Sequence, residues 1–413
     1  MKNRKLLPVL LIAVTVFALL AGCQQAEPEE PAEPAEVEEQ EPIEEEAEEA
    51  EPVAEVEEPA TMEPIYFAWY GPLTGDAKQY GDTEKVAVEL ALEKINGEMG
   101  GVLGGREIVV DFFDDKNDAS ETVIIANKII GDGKFTAAIG GFSSTCTMAA
   151  APLFEEAKMV NYSPTASHAD YSGMGEHLFR NTPTQAIETT AYAEYVYNEM
   201  GIRTIALLNV NDDWGNNISS IFTNKFEELG GEVLVSENYI PNQTTDFTPM
   251  IAKAKEADPE AFFPIGYYAD SANILKQADG LDFDVQMVLS SSTLKQELID
   301  LAGDLANGAF LMNAFSPDIA TDRFQEVMAK YEERTGKKGD AFVMQTYDVV
   351  MQLATAIEEA GTTDNVILRD TLANMEDYEC LAGTYSMNEL GDAVRPLQPI
   401  QVIDGEFVNL NAQ

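Results

Sequence analysis

Short apolar runs alternate with amphipathic patterns from Pro64 onward. Ile65 to Tyr70 is apolar and aromatic and predicts a strand, and residues 78–96 repeat apolar side chains at the spacing of a helix. Further strands are predicted at Glu107 to Phe113 and at Phe135 to Gly140, each followed by a helical pattern. Strands that alternate with helices of this length indicate a parallel sheet covered by helices on both faces.

The same rhythm restarts after Pro183. Three more strands are predicted, at residues 203–210, 232–238 and 260–265. Helices are predicted around them, at residues 184–200, 215–229, 247–257 and 269–279. Because the chain has 413 residues, it can form more than one domain. The two runs therefore predict an α/β protein with two mainly parallel sheets rather than one large sheet.

Residues 1–22 have the pattern of a targeting signal. Three basic residues precede an almost wholly apolar run, Leu6 to Leu20, which ends in Leu-Ala-Gly-Cys. This ending resembles the lipobox of bacterial lipoproteins, in which the cysteine, here Cys23, is lipidated and becomes the N-terminus. The alternative is an uncleaved membrane anchor, but the run is short for about 30 Å of hydrocarbon. Either interpretation places the rest of the chain outside the cytoplasm.

Residues 23–63 form an acidic segment with 18 Glu and no Lys or Arg. Such a segment repels itself and cannot bury enough apolar surface to fold, so we expect a disordered tether after the lipid. The whole chain carries a formal net charge of -48. This charge argues against nucleic acid or an anionic membrane surface as a partner.

The chain is poor in histidine and cysteine. It has two His and three Cys, which excludes most zinc sites, His-based triads and disulfide scaffolds. It also lacks the G-x-S-x-G, H-E-x-x-H and P-loop motifs. We therefore expect a binding protein without metal or cofactor rather than an enzyme.

In open parallel sheets ligands bind beyond the carboxyl ends of the strands, so the loops after the predicted strands are the candidate site. The loop at residues 140–145 reads GGFSST and leads into a helix, where hydroxyls and free backbone N–H groups suit a carboxylate. The loop at residues 163–167 is also rich in hydroxyls. Aromatic residues follow strands of the second run, in residues 212–215 and 266–268. Together these loops suit a small organic acid.

The motifs GPLTG, QYGD, IGGFSST, YSPTAS, DDWG, GYY and QTYD occur in the order of a known family. In this order the chain resembles the type I periplasmic solute-binding proteins, in the leucine/isoleucine/valine-binding branch that serves ABC importers. The resemblance covers nearly all of residues 64–413. It implies a two-lobed α/β fold, in which each lobe is a mainly parallel sheet flanked by helices and the ligand lies between the lobes.

The resemblance also implies three hinge crossovers between the lobes. They are expected near residues 181–184, 314–317 and 381–385. The expected bounds are residues 64–182 plus 316–378 for lobe 1 and residues 183–315 plus 379–413 for lobe 2.

Roles for individual residues follow from the same resemblance. Ser144 and Ser167 correspond to the hydroxyl residues that hold the ligand carboxylate. Ala166 corresponds to the residue whose carbonyl accepts a hydrogen bond from the ligand ammonium. Aromatic residues correspond to the walls beside the ligand side chain. The predicted ligand-binding set is Tyr80, Ser144, Thr145, Ala166, Ser167, Trp214, Tyr267, Ser291 and Tyr347.

The chain departs from the family at two positions. Amino-acid binders of the family commonly carry a Glu that pairs with the ligand ammonium, and Ser291 stands there. Either another acid supplies the charge, for which Asp213, Asp270 and Asp348 are the candidates, or the ligand is a simple carboxylate or amide. In addition, Ser143 replaces a cysteine that some members use in a disulfide.

Simpler roles are open for several of these residues. Ser144 and Ser167 could be helix caps, and Tyr80 and Trp214 could be ordinary packing residues. His168 lies close to the predicted carboxylate site in the sequence and could contact the ligand or face solvent.

Taken together, the sequence predicts a lipid-anchored, monomeric, extracytoplasmic solute-binding protein. It would capture a small carboxylate ligand, a branched-chain or other apolar amino acid, and deliver it to an ABC permease with its ATPase. The alternatives are a binder of a short amide or organic acid and a receptor component for a separate membrane sensor.

Overall fold

A computed structural model describes residues 62–241, 243–316 and 321–412 of the chain. The predicted signal, Cys23 and almost all of the predicted tether lie outside these residues, as does Pro317 of the second expected crossover. Within the described part, no helix is both long and apolar enough to cross a membrane.

Fifteen strands occur in the described residues. In chain order they are β1 Ile65–Gly71, β2 Ile108–Asp114, β3 Phe135–Ile139, β4 Val160–Ser163, β5 Leu178–Arg180, β6 Thr204–Val210, β7 Glu232–Tyr239, β8 Ala261–Ile265, β9 Gln286–Met287, β10 Phe310–Asn313, β11 Tyr378–Cys380, β12 Gly383–Met387, β13 Ala393–Val394, β14 Gln398–Ile403 and β15 Glu406–Asn409.

Eleven α-helices occur in the same part of the chain. They are α1 Lys78–Leu92, α2 Ala119–Asp132, α3 Ser144–Glu156, α4 Gln185–Asn198, α5 Asp213–Glu228, α6 Thr248–Glu256, α7 Tyr268–Gly280, α8 Gln296–Ala302, α9 Asp322–Thr335, α10 Ala341–Ala360 and α11 Asn365–Ala373. A π-helical segment, Glu93–Glu98, extends α1.

Two parallel sheets repeat the same strand order. The first sheet is ordered β2-β1-β3-β4-β5 and the second β7-β6-β8-β9. Every residue of β3 and β8 is buried, since helices cover both faces of these central strands. Because all strands within each sheet are parallel, their carboxyl ends meet at one edge, and the following loops cluster there.

The strands and helices predicted from the apolar pattern are present, with ends that differ by a few residues. Asp118 caps α2 by accepting from the backbone N–H groups of Ser120 and Glu121, both at 2.9 Å. Glu121 itself pairs with Lys116 at 2.6 Å. Asp118 therefore caps the helix by itself, while Glu121, which stands where the second residue of a capping box would be, pairs with a neighbouring cation.

The C-terminal strands lie beside both sheets. Strands β10, β14 and β15 form an antiparallel sheet, and Phe310 of β10 bridges Val288 beside β9. Strands β11, β12 and β13 form a small antiparallel sheet, and Asp392 next to it bridges Arg180 of β5. The bounds of the two lobes stay a prediction.

Residues near the edges of the two sheets make direct contacts. The Tyr80 hydroxyl donates to the Ser292 carbonyl at 3.3 Å, and Gln79 donates to Glu297 at 2.9 Å. Lys295 pairs with Asp340, and the two side chains are only 1% and 9% exposed. The Lys295 ammonium also lies 5.0 Å from the centre of the Tyr80 ring. A buried cation therefore connects the loop before α8 to the start of α10.

We predict that Lys295→Met destabilises the protein by about 3 to 5 kcal/mol, because it leaves the charge of Asp340 buried and unpaired. The matched control is Lys337→Met, which breaks the more exposed pair with Glu297 and should cost less than about 1 kcal/mol. Urea denaturation of the unliganded variants measures both values. If the two variants lost the same free energy of unfolding, the larger contribution predicted for the buried pair would be wrong.

Candidate functional site

Loops at the carboxyl ends of strands in both sheets enclose a cavity. It holds about 610 Å³ of space free of protein atoms, including open solvent at its mouth. The first turns of α3, α4, α5 and α10 also contribute to its wall. The lining residues are Phe142, Ser143, Ser144, Thr165, Ser167, Thr182, Pro183, Glu188, Trp214, Tyr267, Ser291, Ser292, Asn313, Ala314, Ala341, Phe342 and Gln345.

Ser144 presents a hydroxyl to this cavity. It is the first residue of α3, and its Oγ accepts from the backbone N–H of His168 at 3.1 Å. The hydroxyl proton is thus left for a further acceptor. The cap of α3 is the preceding Ser143, whose side chain accepts from the N–H of Cys146 at 3.4 Å. The capping role considered for Ser144 therefore belongs to its neighbour.

Ser167 lies on the loop after β4, and its carbonyl accepts from the N–H of Gln185 at 2.7 Å. It does not cap the short 3₁₀ turn that follows, because His168 does so through Nδ1. Ser163 fixes the conformation of the loop. Its hydroxyl donates to the Gly141 carbonyl at 2.9 Å and accepts from the backbone N–H of Ala166 at 3.0 Å. The two hydroxyl-bearing loops are thus held together by buried hydrogen bonds.

Aromatic rings form another part of the cavity wall. Trp214 and Tyr267 stack with ring centres 5.3 Å apart and planes 13° apart. Phe142 lies 6.0 Å from Tyr267, and Tyr80 stacks behind Phe142 at 4.7 Å. Burial raises the pKa of both tyrosines well above the usual 10, so they stay neutral. This wall suits an apolar group.

Glu188 is the one carboxylate among the described residues that line the cavity. It lies in the first turn of α4 and is 8% exposed. Burial raises its pKa to about 7, and a side-chain hydrogen bond with Ser291 partly opposes this rise. No Lys, Arg or His occurs among the same lining residues, so the carboxylate has no positive partner on the described wall.

The structure brings five of the nine predicted ligand-binding residues to the cavity: Ser144, Ser167, Trp214, Tyr267 and Ser291. Tyr80 is one layer behind, where it packs against Phe142 and bonds to Ser292. The Ala166 carbonyl is not part of the lining and accepts from Nη1 of Arg180 at 3.4 Å. Tyr80 packs behind the wall, whereas Trp214 both lines the cavity and packs in the apolar core, so the packing alternative stays open for both residues.

Thr145 and Tyr347 also lie away from the cavity. The Thr145 hydroxyl is buried and has no hydrogen-bond partner among the described residues. Tyr347 packs in the main apolar core. It lies two residues after Gln345, which does line the cavity, and two residues correspond to about 200° around a helix. The aromatic residue therefore faces the opposite side of α10.

None of the three acids proposed to replace the missing Glu lines the cavity. Asp348 is buried against Arg395 at 3.1 Å and accepts from the N–H of Leu381. Asp270 accepts from the Tyr239 hydroxyl at 2.9 Å. Asp213 is exposed at the start of α5.

Three further polar residues, Glu188, Asn313 and Gln345, line the cavity and are not among the nine predicted from the sequence. Glu188 had a usable signal, because it lies with Tyr192 and Val196 on the buried stripe of α4, where an acid is out of place. Gln345 and Asn313 carry no comparable signal, since buried amides often satisfy local backbone groups. Asn313 does this: its Oδ1 accepts from the backbone N–H of Phe315 at 2.8 Å.

Cys146 and Cys380 are buried and unpaired in the described part of the chain. The same residues contain no group of three or more His, Cys, Asp or Glu side chains that could hold a metal ion. His168 is buried, and burial lowers its pKa. Its ring caps a turn and is not part of the cavity lining.

Comparison with known proteins places this architecture. The sequence profile of the family described as periplasmic binding protein matches residues 64–406. The leucine-, isoleucine-, valine-, threonine- and alanine-binding protein of Pseudomonas aeruginosa is 27% identical over 332 residues, which is 79% of this chain and 87% of that protein.

Two solved structures have the same fold. The leucine-binding protein LivK of Thermotoga maritima superposes with a TM-score of 0.77 at 24% identity, over 84% of this chain and 97% of that chain. A solute-binding protein of an ABC transporter from Rhodopseudomonas palustris, in complex with 3,4-dihydroxybenzoic acid, gives a TM-score of 0.77 at 23% identity, over 84% and 95%. These likenesses confirm the predicted type I fold.

The raised pKa of Glu188 predicts how Glu188→Gln affects stability. Between pH 4.5 and about 7 the unfolded chain releases the proton that the folded carboxyl retains, so stability is lost as the pH rises. At pH 8 the neutral variant should therefore be more stable than the wild type by up to about 3 kcal/mol, and at pH 4 nearly equal to it.

Urea denaturation of the unliganded proteins at both pH values measures this difference. Glu194→Gln on the same helix is the control, because Glu194 is 48% exposed and paired with Lys225. Its effect should be small at both pH values. If the stability difference between Glu188→Gln and the wild type did not change with pH, the pKa of Glu188 would not be raised in the folded protein.

Proposed function

The chain belongs to the periplasmic binding protein family, and we propose that it captures a branched-chain or other apolar amino acid for an ABC importer. Family membership makes it an extracytoplasmic solute-binding protein and not an enzyme. The finer assignment of the ligand rests on the cavity. Two named relatives are consistent with it, since one binds leucine, isoleucine, valine, threonine and alanine and another is a leucine-binding protein.

The observation that carries the proposal is the pairing of a hydroxyl-lined corner with an aromatic wall. Ser144 and Ser167 lie at the start of α3 and on the neighbouring loop, where hydroxyl and backbone donors suit a carboxylate. Trp214 and Tyr267 supply apolar surface for a side chain. A ligand that contacts residues of both lobes would stabilise the conformation in which the lobes are closed over it. Binding would therefore shift the population of conformations towards the closed one.

A second candidate is a carboxylate ligand without an ammonium group. It is favoured by Ser291, which stands where amino-acid binders of the family commonly carry an acid. The Rhodopseudomonas palustris protein, which holds a dihydroxybenzoic acid, is a relative in fold with such a ligand. Thermal shift with leucine, valine and benzoate compares the two candidates, since a ligand at a hundredfold excess over Kd stabilises by about 2.7 kcal/mol.

The proposed partners are an ABC permease with its ATPase, and the membrane through a lipid on Cys23. The support for the lipid is the sequence Leu-Ala-Gly-Cys after the apolar run, followed by the acidic segment. In this arrangement a monomeric binding protein would be tethered near its permease.

Ser144→Ala and Ser167→Ala should each weaken amino-acid binding about ten- to hundredfold, because each removes a hydrogen bond to a charged carboxylate. Calorimetric titration with leucine measures the affinity. The control is Thr321→Ala, which removes the cap of α9 at a residue that is not part of the cavity lining. It should lower stability by about 1 kcal/mol and leave the affinity unchanged. Unchanged affinity in both serine variants would remove these residues from the site.

Cys23→Ser should abolish lipidation and release the protein from the membrane fraction, because a single thiol accepts the lipid. Fractionation of cells and mass spectrometry of the N-terminus measure both effects. A variant that stayed lipidated and membrane-bound would refute the lipobox interpretation.

A further inference from the structure

We propose that Glu188 binds the ligand ammonium, in place of the acid that relatives carry at the position of Ser291. This inference rests on the proposed function and assigns a specificity-determining residue within it. It explains how a cavity of the amino-acid type can lack the usual acid and still receive an amino acid.

The position of Glu188 matches the place where an ammonium has to lie. In an α-amino acid the ammonium is one carbon away from the carboxylate, so the group that binds it must be near the carboxylate-binding hydroxyls. The N–H of Gln185 donates to the Ser167 carbonyl at 2.7 Å, which fixes the start of α4 beside that loop. Glu188 follows one turn later on the same face of the helix and lines the cavity.

The contacts of Ser291 connect it to the same carboxylate. Ser291 and Glu188 line the same cavity, and the Ser291 side chain partly opposes the rise that burial causes in the pKa of Glu188. Its backbone is held by Asn313, which donates to its carbonyl at 3.0 Å and is itself fixed by the N–H of Phe315 at 2.8 Å. The serine thus adds a hydroxyl to the wall beside the glutamate and does not supply a charge.

The charge balance of the cavity favours a cationic group next to Glu188. An ionised carboxylate that is buried without a positive partner is costly, and a hydroxyl compensates only part of that cost. The described lining holds no cation, so a ligand ammonium would provide the missing charge. If Glu188 stayed protonated and had no role in binding, the cavity would have no preference for a ligand with an ammonium group over one without it.

Several other ionisable groups lie around the cavity. Tyr192 on the same helix and Tyr267 on the wall have pKa values raised well above 10 by burial and remain neutral. Asp212 caps α5, and burial raises its pKa to about 6. Across the cavity, Glu84 accepts from Thr165 at 3.3 Å.

Glu84 and His168 also titrate abnormally. Burial raises the pKa of Glu84 to about 8 and lowers that of His168. Neither these two residues nor Asp212 lines the cavity. Titration of these three residues could still change ligand affinity. A pair of ligands that differ only in the ammonium group separates this effect from that of Glu188.

The test is calorimetric titration of the full chain with leucine and with 4-methylpentanoate, which is leucine without its amino group. The wild type should prefer leucine. Glu188→Gln should lose at least about a hundredfold in leucine affinity while binding 4-methylpentanoate as well as the wild type or better. Glu194→Gln, an exposed acid on the same helix, should change neither affinity.

A second acid should rescue the loss. Adding Ser291→Glu to Glu188→Gln returns a carboxylate to the neighbouring wall and should restore part of the leucine affinity. Unchanged leucine affinity in Glu188→Gln, or an equal loss for both ligands, would overturn the role of Glu188. If the wild type bound both ligands equally, the ammonium role would fail while carboxylate capture stood. If it bound neither, the proposed function would fail as well.

Wild-type protein alone provides an independent measurement. The ratio of leucine affinity to 4-methylpentanoate affinity should fall by up to about tenfold from pH 8 to pH 6, because protonation of Glu188 removes the charge that only leucine uses. Glu84, Asp212 and His168 act on both ligands, so the ratio isolates the ammonium. A ratio independent of pH would count against the inference even if the Gln variant failed to fold.

Discussion

The candidate site depends on a guanidinium that is completely buried behind it. Arg180, the last residue of β5, pairs with Asp392 at 2.5 Å and donates to the carbonyls of Ala166 and His168 at 3.4 and 2.8 Å. Burying an ion costs several kcal/mol unless charges and hydrogen bonds compensate it. Separating Arg180 from these partners would therefore cost several kcal/mol. Arg180 therefore fixes the conformation of the loop that carries Ser167 without any contact to a ligand.

A second buried guanidinium acts in the same way on the next segment. Arg395 pairs with Asp348 at 3.1 Å and donates to Asn181 at 2.7 Å, and Asn181 donates to the carbonyl of Gln345, which lines the cavity. Three distant parts of the chain are thereby joined where it leaves the first sheet. Donors that are fixed before binding need little ordering on binding, which favours affinity.

The fold could be predicted because parallel strands buried on both faces, such as Ala261–Ile265, must be continuously apolar. The site was predictable only in part. Sequence could not decide between Ser143 and Ser144 as the cap, since either serine can start a helix and only the backbone geometry assigns the cap. The apolar stripe of α4 could have singled out Glu188 among 73 acidic residues as a buried acid, but it could not show that Glu188 lines the cavity, because that depends on segments distant in sequence.

Two groups of residues in the cavity wall, one polar and one aromatic, come from different sheets. Ser144, Ser167 and Glu188 lie on the first sheet's loops or on the first turn of the helix that follows them. The loops of the second sheet contribute the aromatic pair Trp214 and Tyr267. In the proposed binding mode, exchange of the aromatic residues would alter which apolar side chain fits without moving a charge. The buried arginine network constrains the polar half of the cavity wall, whereas apolar packing holds the aromatic half.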